Sequence, residues 1–89
     1  QALISALSLS DNRLEEVLVY PNPAKQGFYL QNLQTDIDLV IYNTLGKKIK
    51  NFKVQPSANY VSIEGMAKGI YILKLKTQSH SKTLKLIKQ

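Results

Sequence analysis

Apolar residues recur in this chain in short runs separated by turn residues, and no stretch sustains a 3.6-residue period. That pattern predicts an all-β sandwich or barrel. Residues 17–20 form a continuous apolar run, read as a buried strand that Pro21 and Pro23 end by withdrawing ladder donors. Gly27 opens a second strand in which Phe28 and Leu30 share a face. Ile37, Leu39 and Ile41 alternate with Asp38, Val40 and Tyr42, giving a third strand with one clearly apolar face. Asn43-Thr44-Leu45-Gly46 suits a type I turn followed by a left-handed glycine. Residues 47–54 return as a fourth strand, with Ile49 on one parity and Phe52 and Val54 on the other, which implies a bulge or an early strand end.

Residues 56–59 read as a loop, and residues 60–63 as a fifth strand pairing Val61 and Ile63 on one face. A tight connection bracketed by Gly65 and Gly69 leads to a sixth strand over 70–77. There Tyr71, Leu73 and Leu75 point one way, and Lys74 and Lys76 the other. A polar tip at 78–81 precedes a seventh strand over 82–88, with Leu84 and Leu86 turned to the core. Seven strands of this length predict an immunoglobulin-like antiparallel β-sandwich over residues 17–89. Residues 1–16 read as a lead-in. Asn12-x-x-Glu15 could cap a helical turn, and Leu3, Ile4 and Leu7 sit at helical spacing. A linker, with a short strand near residues 6–9, is the favoured reading.

Eighty-nine residues make one small domain with a thin core, and the absence of cysteine removes both disulfides and thiolate zinc sites as staples. No run of 18 apolar residues predicts a membrane span, and a chain that opens at Gln1 reads as the end of a longer protein. Charge is uneven. Arg13 and Lys25 face Asp11, Glu15, Glu16, Asp36 and Asp38 in the first forty residues, a net of −3, whereas residues 41–89 set ten lysines against Glu64, a net of +9. Such asymmetry suits nucleic acid or an anionic surface, although lysine most often coats the solvent face and edges of a sheet.

Catalytic chemistry is not evident. His80 is the sole imidazole, flanked by Ser79 and Ser81 in a polar tip, where neighbours are expected to point apart. Asp36 and Asp38, joined by Asp11, offer too few oxygens to define a calcium site and read as solubilising charge. There is no glycine-rich phosphate loop, and no cofactor is predicted. Tyr20, Tyr29, Tyr42, Tyr60 and Tyr71 fit ordinary strand positions better than a stacking platform.

Four segments in fixed order carry a family resemblance: Tyr20-Pro21-Asn22-Pro23, then Ile41-Tyr42-Asn43 with Gly46-Lys47, then Gly69-Ile70-Tyr71-Ile72-Leu73-Lys74-Leu75, then Lys85-Leu86-Ile87-Lys88. Together with Gly27-Phe28-Tyr29-Leu30 they resemble the type A C-terminal sorting domain of type IX secretion cargo. The resemblance implies a non-enzymatic signal that follows an N-terminal passenger through the periplasm to the cell surface or medium. It implies docking on the outer-membrane translocon and a shuttle protein, then removal by a sortase-like peptidase. Translocon recognition is expected at Pro21, Asn22, Pro23, Gly69, Tyr71, Lys85, Leu86, Ile87 and Lys88. Cleavage is expected in the small-residue stretch holding Ala2, Ser5, Ala6 and Ser8. The last strand is expected to offer an edge to a receptor strand or to a second copy as a homodimer.

Two other classes compete. A carbohydrate-binding module would stack sugars on Tyr29, Tyr42 or Tyr60 and requires an exposed planar aromatic cluster, but the chain has no tryptophan. A passive fibronectin-like spacer would tolerate loss of the last residues. Nucleic-acid binding is not expected: lysines and aromatics interleave at residues 71–76 without any accompanying motif.

Overall fold

The structure, a computed structural model, describes residues 13–89. A short 3₁₀ helix at Arg13–Glu16 precedes seven strands: β1 (Leu18–Tyr20), β2 (Gly27–Gln31), β3 (Ile37–Tyr42), β4 (Lys48–Val54), β5 (Tyr60–Ser62), β6 (Gly69–Lys76) and β7 (Ser81–Lys88). They form two antiparallel sheets of order β1-β2-β5 and β4-β3-β6-β7. The sheets enclose one core, so the fold is the immunoglobulin-like sandwich that the strand pattern predicts.

Alternation explains most of the core. Phe28 and Leu30 from β2 and Val61 from β5 meet Leu39, Ile41, Leu73, Leu75 and Leu86 from the larger sheet, all nearly inaccessible. Leu84 is only partly buried beside them. The β3–β4 hairpin follows its sequence signal. Gly46 has φ +85°, its N–H bonds Asn43 O at 3.0 Å, and the Asn43 side chain accepts from Leu45 and Lys47 N–H at 2.9 Å each. Ile41 faces Lys50 while Tyr42 faces Lys48, so Ile49 is the extra residue of a bulge.

The first strand departs from expectation. Residues 17–20 are not buried throughout: Val17 is in the core and Val19 partly so, but Leu18 and Tyr20 are 53% and 61% exposed. A strand on the outer edge of a two-layer sandwich has one solvated face, so alternate residues of an all-apolar run must turn outward. At the lead-in, residues 13–16 form the helical turn. Lys82 Nζ donates to Glu15 O and, at 3.0 Å, to Val17 O, and Asn32 Nδ2 donates to Glu16 O at 3.0 Å, satisfying its carbonyls. The small-residue stretch with Ala2, Ser5, Ala6 and Ser8, the strand near residues 6–9 and Asp11 lie outside the described residues.

Candidate functional site

The Pro-Asn-Pro turn and the last strand, more than sixty residues apart in sequence, meet in one place. β7 is an edge strand, paired with β6 on one side only, so its other side presents unpaired backbone groups. Asn22 and Ala24 cover its second half. Asn22 Nδ2 donates to Lys85 O at 2.8 Å, and Ile87 N–H donates to Asn22 Oδ1 at 2.9 Å. The pairing then passes to main chain: Ala24 N–H donates to Ile87 O and Gln89 N–H to Ala24 O, each at 2.8 Å, a short parallel bridge.

One asparagine amide thus replaces a dipeptide unit of a neighbouring strand, satisfying one donor and one acceptor at alternate residues. The prolines suit this use. They have no N–H to leave unsatisfied, and they fix φ on both sides of Asn22. Ala24 is fully buried beneath the turn while Pro21, Asn22 and Pro23 stay exposed. A shallow groove of about 560 Å³ runs beside them between Pro21, Pro23 and Tyr60, with Gln89 on its wall.

The expected recognition residues divide by environment. Pro21, Asn22, Pro23 and Lys85 are exposed and Ile87 and Lys88 half-buried, all around this clamp. Tyr71 and Leu86 are opposite one another in the core; the Tyr71 hydroxyl donates to Ala67 O at 2.6 Å. Gly69 pairs with Lys88 at φ +151°, a backbone region that glycine alone enters easily. The expectation of an open terminal edge is corrected over its second half, where Asn22 and Ala24 already hold the ladder groups of residues 85–89.

Pairing also aligns Tyr20, Tyr29 and Tyr60 directly across β1, β2 and β5, each 46% exposed or more. Such a row needs the register, which sequence periodicity does not supply. Its rings are not coplanar: Tyr29 and Tyr60 are 5.0 Å apart and inclined by 59°. Tyr60 lies over Gly27, where a Cβ would overlap its ring and hydroxyl and stand 2.6 Å from Val61 O.

The other candidates resolve as structural contacts. Ser79 and His80 do not point apart: Ser79 Oγ lies 2.9 Å from His80 Nδ1, and the imidazole residue is half-buried rather than exposed. Thr77 closes that tip, its N–H bonding His80 O at 2.8 Å, so the pair belongs to a turn. Asp38 accepts from Lys53 Nζ at 2.9 Å, and this hydrogen bond, with the attraction of the carboxylate, raises the lysine above its ordinary pKa.

Comparison with known proteins supplies the family. The family model for the secretion system C-terminal sorting domain matches residues 18–89. Beta-agarase A of Zobellia galactanivorans is 35% identical over 75 residues, which are 82% of this chain and 14% of the agarase. Among solved structures, PorZ, an essential surface component of the type-IX secretion system of Porphyromonas gingivalis, superposes with a TM-score of 0.72 at 22% identity. That match covers 90% of this chain and 12% of PorZ, and it shows a shared fold. The chain spans a small fraction of either relative. With its Pro-Asn-Pro turn closed on the last strand and the family match running from β1 to Gln89, it belongs to the C-terminal sorting domains of the type IX secretion system.

Proposed function

We propose that this domain is an address carried behind a passenger, read by the type IX translocon and its outer-membrane shuttle protein, and then cut off by a sortase-like peptidase. The passenger would reach the periplasm first and end at the cell surface or in the medium. The observation that carries the reading is the Asn22 clamp. Its hydrogen bonds to Lys85 and Ile87, with the Ala24 bridge to Lys88, fasten the turn to the last strand, so the two segments that the family resemblance singles out become one partly exposed surface. Recognition would use that surface; Tyr71 and Leu86 would support it from the core, and Gly69 through its backbone.

The test is fractionation of a fluorescent passenger carrying a signal peptide and this chain, in a type IX-competent strain and in one lacking the translocon. Surface or medium fluorescence in the first strain and periplasmic retention in the second is the expected result, with loss of the 10.0 kDa domain marking cleavage. Equal retention in both would refute a sorting role. Truncation after Lys85 is a poor test, because Leu86 is wholly buried and its loss alone costs about 2–5 kcal/mol of stability.

The exposed tyrosine row favours a second reading, a carbohydrate-binding module. The 59° inclination between Tyr29 and Tyr60 weighs against it, since two pyranose faces need a common plane. Retention on an agarose or cellulose column that Tyr20→Ala and Tyr60→Ala abolish would favour this reading over sorting.

A further inference from the structure

The outer face of the four-stranded sheet carries a pattern that meets the proposed recognition surface only at Lys85 and Ile87 and extends well beyond it. Register sets Val40 and Tyr42 of β3 beside Ile72 of β6, with Ile70 and Ile87 paired next to them. These residues alternate with the core positions Leu39, Ile41, Leu73 and Leu86, and so face away from the sandwich. Ile70 is 46% exposed and the others half-buried, an apolar strip on a solvated sheet.

Lysines frame the strip. Lys48 and Lys85 end the row that contains Tyr42 and Ile72, Lys74 sits beside Val40, and Lys53 and Lys76 flank Asp38. Asp38 is the acidic residue of this face among the described residues, and Lys53 engages it at 2.9 Å, leaving the other lysines uncompensated.

We propose that this face rests on an anionic lipid surface, with the lysines at headgroup phosphates and Ile70, Ile72 and Ile87 at the headgroup–acyl boundary. The composition selects that occupant. Protein interfaces are depleted in lysine and favour arginine, whereas here every cation is lysine, a mobile point charge suited to laterally mobile headgroups. A second copy would bring two cationic faces together. A nucleic acid would leave the isoleucines without a partner. The proposal shares Lys85 and Ile87 with the recognition surface but does not rest on the sorting reading, and vesicle binding tests it without a translocon.

Co-sedimentation of the 89-residue chain with vesicles tests it. Binding is expected to vesicles of mixed phosphatidylcholine and phosphatidylglycerol, not to phosphatidylcholine alone, and it should weaken as salt rises. Lys74→Gln with Lys85→Gln should weaken binding about twenty-five-fold, at about fivefold per lysine removed. A control pair, Lys25→Gln with Lys50→Gln, removes the same charge away from this face, Lys50 pairing opposite the core residue Ile41 and Lys25 lying beside Gly27 and Tyr60 of the smaller sheet, and should weaken it far less. Ile70→Ser with Ile87→Ser should also reduce binding, with melting followed to confirm folding. No binding to the anionic vesicles, equal loss in both lysine pairs, or undiminished binding of the folded isoleucine variant would each overturn the proposal.

Discussion

Replacing Asn22 by alanine tests whether one side chain fastens the Pro-Asn-Pro turn to the last strand. The change deletes two hydrogen bonds, from Nδ2 to Lys85 O at 2.8 Å and from Ile87 N–H to Oδ1 at 2.9 Å. A neutral hydrogen bond contributes about 0.5–1.5 kcal/mol net, and at this exposed site water can re-solvate the freed groups, so the pair is worth about 1–2 kcal/mol. The main-chain bridge of Ala24 to Ile87 and Gln89 remains, and the turn should loosen without detaching. For a domain of this size that loss lowers the melting temperature by roughly 4–15 °C. Circular dichroism reads the melting, and amide hydrogen exchange reads the cause. Ile87 should exchange about 5–30 times faster in the variant, whereas the β3 amides, remote from the clamp in the ladder, should lose only what global stability demands. An unchanged melting temperature with unchanged exchange at Ile87 would refute the clamp.

Other outcomes follow from single contacts. Gly46→Val should cost about 1–2 kcal/mol, because φ is +85° although nothing crowds the position; unchanged thermal denaturation would refute the left-handed turn. Gly27→Ala should cost about 1–3 kcal/mol by driving a methyl into Tyr60 and Val61 O, with Tyr60→Ala restoring only part because the carbonyl stays; a neutral Gly27→Ala would refute that packing. Asp38→Asn should bring the Lys53 ammonium back down towards its ordinary pKa, followed by NMR titration, and an unaltered titration would show that the pair does not form in solution.

The strands were legible wherever one face is buried and the other wet. Ile37, Leu39 and Ile41 announce β3 because solvent and core impose opposite demands on successive residues, and Gly46 marks its turn because few residues accept a positive φ. The run at 17–20 misled, since four apolar residues carry no parity and hide that Leu18 and Tyr20 face water. The Tyr20, Tyr29 and Tyr60 row and the lysine-framed isoleucines both depend on register between strands, which no single strand encodes. Pro21, Asn22 and Pro23 were legible as a motif, but the purpose of Asn22 was not. Its partners are 63 and 65 residues away and are backbone atoms, which leave no mark on the side chains that follow.

Export of paired variants tests the central claim, that the address is the surface Asn22 holds together rather than the stability of the sandwich. Fusions bearing Asn22→Ala and Gly46→Val lose similar stability, about 1–2 kcal/mol each, at the clamp and at the β3–β4 turn. Fractionation in a type IX-competent strain should leave the Asn22→Ala passenger in the periplasm and deliver the Gly46→Val passenger to the surface. Equal delivery of both, or equal retention of both, would contradict the account.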